Sequence, residues 1–170
     1  MTFRLPCRRH IPASGSTPDR APLDAVKALT PPRVSEETWH DAPAYAYGLR
    51  LYAHGFFWEA HEVWEAVWVA TAPNSQERYL LAGLIQLANA CLKLEMAQPK
   101  AALRLLKAAC DHLGECRSRA VLGLEPVALA RDVTAFASRA ACLADKGNLA
   151  LLIDQRPKPT LASAHSTGPD

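Results

Sequence analysis

Between Leu80 and Leu94 the chain passes through Leu80, Leu81, Leu84, Ile85, Leu87, Ala88, Cys91, Leu92 and Leu94, with almost no polar side. At 3.6 residues per turn these positions point nearly all round, so the segment reads as a helix that other elements must surround. The exception is a line of Arg78, Gln86, Asn89 and Lys93, spaced three or four apart with Ala82 in the gap and therefore on one face. Leu103, Leu106, Cys110 and Leu113 form a narrower stripe, as expected of an outer helix packed on this centre. No Val/Ile/Thr alternation of the kind that marks strands appears.

Cap and breaker residues divide the central region into five predicted helices. The first runs from about Pro43 to His54 and closes on a left-handed Gly55. The second runs from about Phe57 to Thr71, stopped by Pro73. The third starts near Ser75, with Asn74 as its expected N-cap, and reaches about Ala97. Pro99 opens a fourth that extends at least to Leu113, and Pro126 opens a fifth that ends before Gly147. Connections of a few residues make neighbours antiparallel, giving an all-α, up-and-down bundle of about five helices. On this reading residues 1–38, rich in Pro, Ser, Thr and Arg, form an irregular arm with a short helical turn around Leu23–Leu29. Residues 39–146 form the bundle domain, and 147–170 a flexible tail.

Composition excludes several function classes. The 170 residues are 49% hydrophobic and 21% charged, one globular domain with a real core. A formal net charge of +2, with no basic run longer than Arg8-Arg9, makes no case for nucleic acid. Nothing is long and apolar enough to span a membrane or to form the core of a signal peptide, and a cytoplasmic location is expected. The 5 cysteines (Cys7, Cys91, Cys110, Cys116, Cys142) lack Cys-x-x-Cys spacing and read as small hydrophobes in a reducing compartment. No phosphate-binding glycine loop, nucleophile elbow or Ser-His-Asp order is present. His54 reads as a helix C-terminal histidine, and His10, His40, His112 and His165 as exposed.

The chemistry concentrates in Phe56-Phe-Trp-Glu-Ala-His-Glu-Val-Trp-Glu-Ala-Val-Trp68. Projected at 100° per residue, Phe57, Ala60, Val63, Trp64, Val67 and Trp68 form the core stripe, with His61 at its edge. Glu65 lies four residues on, within reach of the imidazole. Trp58 and Val69 share the outer side with Glu62 and Glu65, so that side is partly apolar. Glu59/Glu62 and Glu62/Glu65 are like-charge pairs at i,i+3, a repulsion that calls for cations opposite. Candidates are Arg50, Arg78, Lys93, a protonated His61 or a metal ion. The outer face is therefore expected to be covered, by the N-terminal arm or by a second subunit.

Three readings of the cluster stay open. One is a satisfied polar network in which His61 and the glutamates bond Gln86, Asn89 and a cation. Another is a ligand pocket, with His61 and Glu65 capable of acid–base work. The last is a metal site on His61, Glu62 and Glu65. The metalloprotease pattern fails because Glu65 stands where a second histidine belongs. A di-iron bundle fails because Gln86, Asn89 and Lys93 stand where acids are needed.

Tyr47-Gly48-x-Arg50-Leu51, Gly55 through Trp68, and Glu77-Arg78-x-x-Leu81-x-Gly83-Leu84-Ile85-Gln86-Leu87-Ala88 resemble the small helical family known as domain of unknown function 309. Pro99-Lys-Ala-Ala-Leu103 and Leu122-Gly123-Leu124 are similar as well, so the resemblance covers roughly residues 45–130. It implies a compact all-α bundle, mainly prokaryotic, with no established activity. Its signature maps onto Glu59, His61, Glu62, Glu65, Trp68, Gly83 and Gln86. Some relatives carry an upstream Pro-His-Pro. Here Asp19 stands in place of that histidine, which weakens any metal site depending on it.

Together these readings give an expected non-enzymatic module that binds a partner or a second copy of itself through an acidic-aromatic helix face. The residues of that face are Trp58, Glu59, His61, Glu62, Glu65 and Trp68, with Arg78, Gln86 and Lys93 opposite. The alternative is a small-molecule or metal site, hydrolase-like in character, on His61, Glu62 and Glu65. The sequence names neither a cofactor nor a ligand.

Overall fold

The computed structural model describes residues 3–12, 14–15, 17–143 and 149–161. Among them are α1 (Ala21–Lys27), a 3-10 turn (Trp39–Asp41), α2 (Pro43–Ala53), α3 (Phe57–Val69), α4 (Gln76–Glu95), α5 (Pro99–Gly114), α6 (Pro126–Leu143) and α7 (Leu149–Asp154). The protein is an all-α bundle in which α2 to α6 each pack on the next, the connections being short except between α5 and α6.

The helix α4 is the axis. Leu80, Leu81, Leu84, Leu87, Ala88, Ala90 and Cys91 are completely buried. Two glycines permit close approach. Trp64 of α3 crosses Gly48 of α2, and Leu113 of α5 lies over Gly83 of α4, so in each case a Cβ would collide with the neighbour. Gly55 has φ +80 and ends α2 in the left-handed turn its sequence predicts.

Two local features differ from expectation, at the start of α4 and in the tail, and the helical turn of the arm follows it. Ser75, not Asn74, is the N-cap of α4. Its extended backbone (φ −84, ψ 158) lets the hydroxyl accept from the Arg78 N–H. Asn74 instead takes the left-handed conformation, φ 57, which asparagine tolerates. The arm's helical turn is α1, whose Leu23 and Val26 are fully buried, and Val34 N–H donates to Ala70 O at 2.9 Å. The expected flexible tail contains α7, whose Leu152 is fully buried. Just beyond it, Arg156 donates to the Tyr52 and Ala53 carbonyls at 3.2 and 2.6 Å, filling acceptors at the open end of α2. The close of the tail at 162–170, with His165, lies outside the described residues.

The five cysteines are free. Cys91 and Cys116 are buried like small hydrophobes, whereas Cys7 and Cys142 are exposed, contrary to that general reading. Among the other histidines, His40 is exposed and stacks on Trp39, His112 is partly buried, and His10 is partly buried too.

Candidate functional site

The N-terminal arm crosses the outer face of α3. Its His10 backbone N–H donates to Glu59 Oε1 at 2.7 Å, and the His10 ring meets the Trp58 indole edge-on with centroids 4.7 Å apart. The Arg20 guanidinium lies 5.2 Å from the centre of the same indole and 3.6 Å from Glu62 Oε2. Lys27 of α1 reaches Glu62 Oε2 at 3.5 Å. Nearer the chain start, the Tyr47 hydroxyl donates to Arg4 O at 2.6 Å and Arg9 donates to Glu95 Oε1 at 2.7 Å. The covering layer inferred from Trp58 is therefore the chain's own arm, and the cations facing the glutamates are Arg9, Arg20 and Lys27.

The cations expected from the bundle are used elsewhere. Arg78 stacks 3.7 Å from the centre of the Trp68 ring and donates to the Trp68 and Thr71 carbonyls at 3.0 and 3.1 Å. It closes the C-terminal end of α3, where unsatisfied carbonyls favour a cation. Arg50 lies over Tyr47. Lys93 Nζ approaches Met96 Sδ at 4.0 Å. Among the described residues no hydrogen bond or ion pair joins His61, Glu62 or Glu65 to Gln86, Asn89 or Lys93. The polar seam between α3 and α4 is thus not formed by these groups. The acids face outward to the arm, and the inner side of α3 is apolar.

His61 and Glu65 do meet, with Nε2 to Oε1 at 3.0 Å, as their i,i+4 spacing predicts. His61 Nδ1 is buried without a partner. Glu65 is about half exposed, whereas Glu62 retains 17% of its side-chain exposure because Arg20 and Lys27 lie over it. Among the described residues no group of three or more His, Cys, Asp or Glu side chains is placed to hold a metal ion.

Glu59 is the outlier. It is 2% exposed, and its Oε2 has no hydrogen-bond partner. Burial raises its pKa above the usual carboxylate range, against the opposing pull of the His10 N–H and the Arg9 charge. Burial likewise raises Glu95, with Arg9 and Arg156 pulling the other way. The sequence placed Glu59 in the motif but not in the interior, because the donor that bonds it lies 49 residues away in the arm.

Beyond the arm contacts the same face opens into a shallow groove of about 390 Å³ between α1 and α3. Lys27, Glu62, Glu65, Ala66, Trp68 and Val69 line it, and Val69 is 70% exposed.

Residues 45–105, from α2 into α5, match the model of a family described as a domain of unknown function (DUF309). This segment is similar to that family, the one its motifs resemble. The matched segment takes in Glu59, His61, Glu62, Glu65, Trp68, Arg78, Gln86 and Lys93. The arm that covers its acidic helix lies upstream of the match, and Leu122-Gly123-Leu124 lies downstream. No curated protein and no solved structure matches the chain. No helix among the described residues is long and apolar enough to cross a membrane.

Proposed function

We propose that the protein is a non-enzymatic binding module whose acidic-aromatic α3 face receives an extended segment bearing arginine and histidine. The observation that carries this reading is the chemistry of the segment now lying there. Arg9, His10 and Arg20 approach Glu95, Glu59, Trp58 and Glu62 with two guanidiniums, one imidazole and one backbone amide. Exposed ion pairs contribute little singly, about 0–1 kcal/mol. The buried Trp58 and the backbone bond to Glu59 therefore give the face its selectivity for an extended chain. A second copy offers the same segment, so self-association by arm exchange belongs to the same reading.

The test uses the full chain carrying Arg9→Ala and Arg20→Ala, with a fluorescent peptide spanning residues 3–20 added in trans. The weakened arm should yield the face, so anisotropy should report tighter peptide binding than with the unaltered chain. Absence of binding by either protein would overturn the proposal.

The groove beside Glu62, Glu65 and Trp68 supports a second reading, a small-molecule or metal site that also engages His61. It requires a ligand whose stabilisation of the fold is lost in His61→Ala and Glu62→Gln. Titration with divalent cations, read by thermal unfolding, tests its metal version.

A further inference from the structure

We propose that docking of the N-terminal arm is proton-linked through Glu59 and Glu95, the arm closing over them in acid and releasing the α3 face as pH rises. This names a regulation of the docking face and rests on that reading of it.

The geometry sets up the linkage. When the arm is closed, Glu59 keeps one hydrogen bond, from the His10 N–H to Oε1, while Oε2 is buried with nothing to bond. The arm's Arg9 is committed to Glu95 instead. An ionised carboxylate with one donor and no ion pair is a costly thing to bury, whereas a neutral carboxyl is far less so. Opening the arm returns Glu59 to water, where the charged form is no longer penalised.

Several charged or titratable groups surround this carboxyl. From the arm come Arg9 and His10, with Asp19 near Tyr47. From α2 come Tyr47 and its neighbour Arg50, from α4 Glu95, and beyond α7 Arg156, which acts on Glu95. On α3 itself, His61 is held by Glu65, and Glu62 by Arg20 and Lys27. The two carboxyls repel each other beneath a single bonded arginine. For both, burial is the largest influence and favours the neutral form. A carboxyl whose pKa is higher in the closed state than in the open one binds its proton more tightly when closed. Closure is therefore favoured at low pH, and that contribution is lost as pH rises through the closed-state value.

The test is exchange of the His10 amide, which bonds Glu59 in the closed arm, in the full chain, corrected for intrinsic rate, across the range from about pH 5 to about pH 8. Protection should fall by roughly tenfold for each unit by which closure raises the carboxyl pKa. Glu59→Gln, which keeps the shape and stays neutral, should leave the arm closed and flatten the dependence. His10→Gln keeps the backbone donor to Glu59 and removes the ring charge that favours the carboxylate, so the slope should persist. A flat profile in the unaltered chain would overturn the proposal, as would an unchanged slope in Glu59→Gln. An arm open at every pH in Glu59→Gln, with helicity intact by circular dichroism, would also overturn it, because the carboxylate would then be the anchor. Should Glu59→Gln lose its fold, Glu95→Gln serves in its place: a reduced slope supports the linkage and an unchanged one refutes it. The readout follows the arm in cis, so it succeeds or fails independently of peptide binding in trans.

Discussion

The indole of Trp64 lies across Gly48, where a Cβ would come within 2.6 Å of Cδ1 and overlap Nε1. The same Nε1 donates to Tyr45 O at 3.3 Å, three residues earlier on α2. The two helices are locked at this point, because the ring can retreat only by giving up its hydrogen bond inside a closed core. Gly48→Ala should destabilise the fold by about 3 kcal/mol, the upper part of the range for overpacking. Gly83→Ala should cost less, about 1–2 kcal/mol, because it meets the Leu113 side chain, Cγ at 2.8 Å and Cδ2 at 3.0 Å, and backbone only at 3.4 Å. Urea unfolding of the two variants checks the ranking, and equal losses would refute the tryptophan lock.

The bundle was legible in the sequence because helices of this length announce themselves by period and by caps. The apolar run through Leu94 requires neighbours on every side, and prolines 43, 99 and 126 open helices as read. The cover over α3 was legible only as a need. Trp58 on the outer side called for a partner, but the contacts that meet it come from His10 and Arg20, in an aperiodic segment carrying no helical or strand signal. Glu59 was hidden for the same reason, since a glutamate on a helix is assigned to solvent until something distant in sequence covers it. The six residues of α7 are too few for periodicity to register, and packing rather than propensity holds so short a helix. The shift of the N-cap from Asn74 to Ser75 turns on backbone conformation, because both side chains can cap.

Thiol reactivity should divide the cysteines. Burial pushes the Cys91 thiol up to about 12 and the Cys116 thiol up to about 11, which leaves little thiolate at neutral pH. Cys7 and Cys142 are exposed. An aromatic disulfide reagent should modify Cys7 and Cys142 rapidly in the native protein, and Cys91 and Cys116 only after denaturant is added. Rapid native labelling of Cys91, read by peptide mass mapping, would contradict the packing of Tyr52 against it.

Arg78 is predicted to be a structural clamp rather than part of a binding site. Its guanidinium stacks on Trp68 while donating to two carbonyls at the end of α3, a combination that uses both its planarity and its forked donors. Arg78→Ala should cost about 2 kcal/mol. Arg78→Lys should recover less than half of that, because an ammonium cannot stack and bond both carbonyls together. Chemical denaturation of the pair decides the matter: full recovery by lysine would reduce the role to charge alone.

Arg156 should decide whether α7 stays on the bundle. Its guanidinium donates to Tyr52 O, Ala53 O and Ile153 O while lying 5.6 Å from the Tyr52 ring centre and 5.2 Å from that of Phe57. It ties the last turn of α7 to the C-terminal carbonyls of α2, a helix end closed by the left-handed Gly55 with Arg50 in its last turn. Removing it takes the side-chain donor from Ala53 O, leaves Tyr52 O with the Gly55 N–H alone, and frees a helix too short to persist alone. Arg156→Ala should lower global stability by about 2 kcal/mol, the scale of charge-assisted bonds to backbone. Its larger effect should be local, with amide exchange across residues 152–156 accelerating while that of α4 changes only by the global amount. Uniform acceleration over the whole chain would mean that α7 and the bundle unfold as one unit, and that Arg156 supports the core rather than fastening a separable segment to it.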